Sequence, residues 1–265
     1  MAIANMGEGE QPSPFNFALI PAHKPEFYLE NVRYALSLNL PQAMPCQPHD
    51  SILSIAGGGP SLADTYQDLT GYVAAINGSL AYLLSKGVKP HICGVCDPTE
   101  KIADMIEAEE GITYFIASCA HRRVFDKLLG AGCSVHLFHV REVPGIEPLL
   151  AKHYGDQYET IPGGCTMGLR WISLGYYTGF RKFHLHGMDS SFRDKSSHAY
   201  PDHQDTKEWL YFDGFPTRVN FIGQVVDFIN IMDESRKPGN EPIEVMTFGD
   251  GLLQTRYARW LEDNA

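Results

Sequence analysis

From residue 51 onward, short apolar runs alternate with helix-length amphipathic segments. This alternation constrains the fold more than any other feature of the chain. Residues 51–56 (SILSIA), 72–77 (YVAAIN), 91–96, 113–117, 134–138 and 182–186 are apolar runs bounded by turn residues. Between them, 61–69, 78–86, 98–109, 122–129 and 164–177 read as helices, with Pro98 in a first turn and Gly87 as a closing residue. A helix at 217–234, a strand at 243–248 and a helix at 251–262 follow. The runs are continuously apolar rather than alternating, so both faces of each strand must be covered.

The expected fold is therefore α/β and Rossmann-like: a mostly parallel sheet with helices on both faces, spanning residues 51–265. Residues 1–50 form an N-terminal arm, loose to about residue 23, with one amphipathic helix at 24–40 and a Pro-rich link at 41–48. Two stretches lack pattern. Residues 139–162 are irregular, and 190–216 are polar and aromatic, long for a loop and so a candidate functional segment.

Lys plus Arg is 21 and Asp plus Glu is 32, a net charge of −11. An acidic chain without a dense basic run is a poor general binder of nucleic acid or anionic membranes. No stretch approaches the roughly 18–20 apolar residues of a membrane span. The first ten residues lack the basic and apolar regions of a secretory leader. The six cysteines are scattered through apolar segments, which suits reduced thiols and a cytoplasmic setting. Cys93 and Cys96 share zinc-motif spacing, but in a strand positions i and i+3 face opposite sides, so they are read as core.

In open α/β sheets ligands bind beyond the carboxyl ends of the strands. Gly57-Gly58-Gly59-Pro60-Ser61 follows the first strand, Asn77-Gly78-Ser79 the second, Asp97-Pro98 the third and Gly187-Met188-Asp189 a later one. Three glycines allow close backbone approach, and Pro60 and Ser61 start a helix whose free N–H groups attract an oxyanion. The turn is neither a P-loop nor a dinucleotide fingerprint, because no Gly-Lys-Ser/Thr follows and no glycine fills the last position. Gly163, Gly164 and Thr166 open the long helix at 164–177 and form a second candidate phosphate or nucleobase site, equally readable as close packing. Cys165 there is a candidate for a lowered pKa, without a base that would make it a nucleophile. Asp97 and Asp189 suit a metal–phosphate or ribose contact, or simple loop closure. His198 and His203 lie in the long loop beyond Asp189 and are candidates for acid–base work or phosphate binding.

The order and spacing of these motifs resemble one known family. The residues that carry the likeness are Gly57-Gly58-Gly59-Pro60-Ser61-Leu62, Asn77-Gly78-Ser79-Leu80, Gly87-Val88-Lys89-Pro90-His91, Asp97-Pro98, Gly163-Gly164-Cys165-Thr166-Met167, Gly187-Met188-Asp189 and Ser197-His198-Ala199. Over roughly residues 50 to 200 they resemble the 6-hydroxymethylpterin diphosphokinase MptE-like family. That family includes motility-associated factors that glycosylate flagellin and is similar in pattern to bacterial sialyltransferases. The resemblance implies a nucleotide-dependent transferase. Its first form is glycosyltransferase-like, displacing CMP from an activated sugar. The alternatives are Mg/ATP-dependent diphosphate transfer to a hydroxymethylpterin, and nucleotide binding without turnover.

The chain departs from the diphosphokinase pattern. Asn77-Gly78-Ser79, Asp97-Pro98-Thr99 and Gly163-Gly164-Cys165-Thr166 stand where those enzymes carry more carboxylates, while Asn77 and the Asp189…His198 pairing look like the flagellin-modifying branch. It also lacks the sialyltransferase histidine, since Phe215-Pro216-Thr217-Arg218 has none. The expected roles are a phosphate cradle from Gly57, Gly58, Gly59, Pro60 and Ser61, with Asn77 and Asp97 on the nucleotide. Gly163, Gly164 and Thr166 would hold its far side, Asp189 would orient the site, and His198 with Tyr200 would act on the leaving phosphate or the acceptor hydroxyl. The cofactor the resemblance implies is a nucleotide, CMP-sugar or ATP, with Mg in the second case. The acceptor is left unnamed, and the N-terminal arm offers a surface for a homo-oligomer.

Overall fold

The computed structural model describes residues 23–200 and 209–265, together with the backbone of two short paired strands, β1 (Ile3–Ala4) and β2 (Phe17–Ala18). Helix α1 (Pro25–Ser37) begins with proline at its first turn. The alternating region then runs β3 (His49–Ala56), α2 (Leu62–Thr65), β4 (Tyr72–Ile76), α3 (Ser79–Ser85), β5 (Ile92–Val95), α4 (Ile102–Met105), β6 (Thr113–Ala117), α5 (Arg122–Gly130) and β7 (Ser134–Val140). It continues through α6 (Ile146–Tyr154), β8 (Thr160–Ile161), α7 (Met167–Tyr177) and β9 (Phe180–His186). A hairpin of β10 (Leu210–Phe212) and β11 (Phe215–Thr217), then α8 (Val219–Ser235), β12 (Glu244–Thr247) and α9 (Leu252–Asp263) complete it.

Eight strands form one sheet in the order β12-β9-β3-β4-β5-β6-β7-β8, and every neighbouring pair is parallel. The chain builds outward from β3 to β8, then returns to lay β9 against the other edge of β3. That reversal between β3 and β9 is the topological switch point, the place in such sheets where a crevice opens. Alternate residues of one strand feed two cores. Val73 and Ala75 pack on the face covered by α3, α4 and α5, while Ala74 and Ile76 pack on the face covered by α7, α8 and α9. Burial on both faces explains why the strands read as unbroken apolar runs. Cys93 lies in one core and Cys96 packs against the other, and all six cysteines are free. Among the described residues no helix is long and apolar enough to cross a membrane.

Three expectations change. The helix expected at 98–109 shrinks to Ile102–Met105. The Asp97 carboxylate accepts from the Thr99 N–H at 2.7 Å and from its hydroxyl at 2.6 Å, a local turn that competes with helix initiation. The irregular stretch at 139–162 holds α6, entered through Gly145 at φ 77°, and the two-residue β8. The long loop holds the β10–β11 hairpin, whose turn residues Asp213 and Gly214 both have positive φ, 53° and 84°.

Candidate functional site

At the switch point the turns after β3 and β9 are stitched together by their backbones. Gly57 N–H donates to His186 O at 2.8 Å and Gly59 N–H to Gly187 O at 2.7 Å. The approach leaves no room for side chains: a Cβ on Gly57 would lie 2.3 Å from Gly187 O, and one on Gly59 would lie 2.2 Å from Asp189 Oδ2. Pro60 follows within the turn, and its carbonyl accepts from Ala63 N–H at 3.2 Å. Asp189 is 3% exposed and accepts the Ser61 N–H at 3.1 Å. Its carboxylate thus occupies the start of α2, where an anion is favoured. Burial raises the Asp189 pKa, opposed by the hydrogen bonds from Ser61 and by the Arg193 charge. Arg193 itself joins Asp64 and Asp250 beside this knot.

The segment beyond Asp189 folds back over Gly58. Ala199 N–H donates to Gly58 O at 2.9 Å, and a Cβ on Gly58 would meet the Tyr200 hydroxyl at 2.5 Å and the His198 ring at 2.9 Å. The His198 Nδ1 lies 2.8 Å from Ser197 Oγ. Burial pushes the Tyr200 hydroxyl up to about 12. His203 lies outside the described residues.

Asn77 follows β4 with φ 48°, a left-handed conformation that asparagine tolerates, and its buried side-chain Oδ1 has no hydrogen-bond partner among the described residues. Ser79 fixes this corner by donating to Ala56 O at 2.7 Å while accepting Ile76 N–H at 2.8 Å. Asp97, one strand further on, spends one carboxylate oxygen on Thr99.

The second glycine turn lies on the same rim. Gly163 and Gly164 have φ of 140° and 64°. Their surroundings are set by residues that carry no local signal in the sequence. Gly163 N–H donates to Glu142 Oε1 at 3.2 Å and Cys165 N–H to Asp227 Oδ2 at 2.9 Å. Arg170, 4% exposed, donates to Glu142 Oε2 at 2.9 Å, to Ile161 O at 2.8 Å and to Gly164 O at 2.9 Å. Thr166 caps α7 by accepting the Leu169 N–H at 3.4 Å. The amides of Met167 and Gly168, first in the helix, make no hydrogen bond among the described residues. Cys165 is not activated by the helix start. Burial, then the Asp227 carboxylate, raises its pKa instead.

Two cavities open along this rim. The smaller, 150 Å³, is bounded by Gly57 to Gly59, Gly168, Asp189, His198, Phe221 and Gln224. The larger, 400 Å³, is bounded by His23, Tyr28, Cys96, Asp97, Gly164 and Arg170. Asn77, Thr166 and Met167 line both. Gln224 and Phe221 reach the site from α8 and had no motif to mark them. Among the described residues no group of three or more His, Cys, Asp or Glu is arranged to hold a metal ion.

Among solved structures, the MAf glycosyltransferase from Magnetospirillum magneticum AMB-1 superposes with a TM-score of 0.63 at 14% identity. The alignment covers 89% of this chain and 41% of that one, so this chain spans well under half of that protein's length. At this identity the likeness is one of fold. A short-chain alcohol dehydrogenase from E. coli, crystallised with NADH, aligns over 52% of this chain and 51% of its own at 14% identity. Its TM-score is 0.19, below that of a shared fold. No curated protein sequence matches. The family model described as 6-hydroxymethylpterin diphosphokinase MptE-like matches residues 28–195, the region that builds β3 to β9 and both glycine turns. The chain belongs to the MptE-like family.

Proposed function

We propose that this protein is a nucleotide-dependent transferase of the glycosyltransferase kind, acting on a CMP-activated sugar. One observation carries the reading: the two cavities meet at Asn77, Thr166 and Met167, where the unpartnered amides of Met167 and Gly168 start an 11-residue helix. A helix start with free N–H groups is a seat for phosphate. The nucleoside then occupies the 400 Å³ cavity, within the usual size range of ligand pockets, and the sugar points into the smaller one.

Transfer breaks the bond between the sugar's anomeric carbon and a phosphate oxygen. Negative charge grows on the departing phosphate, and the α7 amides with the Asn77 amide group answer it. His198, on the wall of the smaller cavity, takes the proton of the acceptor hydroxyl. Asp189 orients the site by fixing the turn at Ser61. In this arrangement Gly57 to Gly59 form the floor against which the sugar sits, and Asp97 borders the nucleoside.

The family description supports a second reading, Mg/ATP-dependent diphosphate transfer to a hydroxymethylpterin. It asks for carboxylates free to hold Mg. Against it, Asp189 is buried and held by the Ser61 N–H, which leaves Asp97, with one of its two oxygens already taken by Thr99, as the single open carboxylate of the pair.

Thermal denaturation with CMP, CDP, AMP and ATP, each with and without Mg, separates the readings. A ligand at a hundred times its Kd adds about 2.7 kcal/mol, a rise of about 5–10 °C for a chain this size. A rise with CMP that does not need Mg supports the sugar reading, and a rise with ATP only when Mg is present replaces it by the second. No rise with any nucleotide removes both. A CMP response without transfer from any CMP-sugar leaves a binding module.

A further inference from the structure

Two cysteines lie together at the carboxyl ends of neighbouring strands. Cys96 directly follows β5, and Cys119 lies two residues beyond β6. The Cys119 thiol lies against the Cys96 main chain, its sulfur 4.0 Å from the Cys96 carbonyl oxygen, and the two thiols interact directly. The two segments are clamped. The Asn31 side-chain amide donates to Pro98 O and to Cys119 O, each at 3.1 Å, and His121 N–H donates to Asp97 O at 3.3 Å.

The two thiols differ in access and environment. Cys96 borders the 400 Å³ cavity, whereas Cys119 is 2% exposed behind it. Arg170, fixed by Glu142 and Ile161, places its positive charge near both. The hydrogen bond from Cys119 and the Arg170 charge lower the Cys96 pKa against the effect of burial, while Cys119 is raised. Cys93, on the opposite sheet face, is pushed up to about 12 by burial. An accessible, acidified thiol backed by a second thiol is the arrangement of a reactive and a resolving cysteine.

We propose that Cys96 and Cys119 form an oxidisable dithiol that opens on the larger cavity and takes a hydroperoxide as its oxidant. The Cys96 sulfur attacks one peroxide oxygen. The O–O bond breaks, the other oxygen leaves with a proton as water or alcohol, and Cys96 becomes a sulfenic acid. The Cys119 sulfur then attacks the Cys96 sulfur. The S–O bond breaks, and the hydroxyl leaves with the Cys119 proton as water. The dithiol loses two electrons and the hydroperoxide gains them. This step is independent of which nucleotide the protein takes.

The test uses the full chain treated with hydrogen peroxide, then unfolded, alkylated with N-ethylmaleimide and mapped by mass spectrometry. The expected result is a disulfide joining Cys96 to Cys119, with Cys93 still alkylated and Cys96 consumed at least about tenfold faster than Cys93. In Cys119→Ser, dimedone should trap a sulfenic acid at Cys96. The wild-type map stands even where that variant folds poorly. The proposal is overturned if Cys96 and Cys119 both remain alkylated at a peroxide dose that oxidises the exposed Cys46. It is equally overturned if Cys96 pairs with another cysteine.

Discussion

The Ser61 N–H points at the Asp189 carboxylate, 3.1 Å away across 128 residues of sequence. A buried charge-assisted hydrogen bond of this kind contributes about 1.5–3 kcal/mol. Asp189→Ala leaves that amide without an acceptor and should lower stability by roughly this amount in urea denaturation. Asp189→Asn keeps an acceptor and should lose less than half as much. Equal losses in the two variants would show that the carboxylate's contact with Ser61 is not what matters.

The close approach of the two turns makes Gly59 intolerant of a methyl group. Gly59→Ala places a Cβ 2.2 Å from Asp189 Oδ2, and overpacking of this type costs about 1–3 kcal/mol. Among the described residues outside its own helix turn, nothing lies within 4 Å of a Cβ placed on Gly223 in α8, so Gly223→Ala should stabilise by about 0.5–1 kcal/mol. Melting temperatures of the two variants should move in opposite directions.

Acid should destabilise the protein through two buried histidines. Burial lowers His139 and His186 to about 4 each, the first with help from the His153 charge and the second from His184. An unfolded histidine titrates near 6.5. Between pH 6.5 and 4 the unfolded chain therefore binds more protons, and stability rises with pH. The penalty is absent above about pH 6.5, grows as pH falls, and is complete below about 4, at roughly 3–3.5 kcal/mol per histidine. Urea midpoints measured from pH 7.5 to 4.5 should fall, and His186→Leu should flatten the slope.

Asn31 ties α1 to the strand ends that border the larger cavity. Asn31→Ala strands two carbonyl oxygens, and each lost hydrogen bond is worth about 1 kcal/mol. Asn31→Asp should be worse, because a carboxylate would face the Pro98 and Cys119 oxygens and cannot donate to them. If Asn31→Asp melts no lower than Asn31→Ala, the amide's donation is not the source of its effect.

Strand content was readable because β3 to β7 are buried on both faces and show it as continuous apolar runs. The glycines at 57–59, Asn77, Asp97 and Asp189 were readable as strand-end residues, since one rule about open sheets places them all on one rim. What they touch was not readable. The Ser61–Asp189 contact depends on β9 returning to the side of β3, and the fit of Glu142, Arg170 and Asp227 around Gly163 and Cys165 joins residues far apart in sequence. The shortening of α4 is invisible to periodicity because a two-residue interaction, Asp97 with Thr99, outweighs it. The hairpin at 210–217 did carry a signal, Asp213-Gly214, which the aromatic neighbours obscured.

The late return of β9 also orders events on the ribosome. β3 finds β4 within about twenty residues, yet its opposite border stays bare until Phe180–His186 has been made, about 124 residues after Ala56. At roughly 5–20 residues per second, that is an interval of about 6–25 s in which a nascent chain presents an unpaired apolar ribbon. Chaperone capture of stalled translation products should therefore be strongest for those ending between residues 60 and 180.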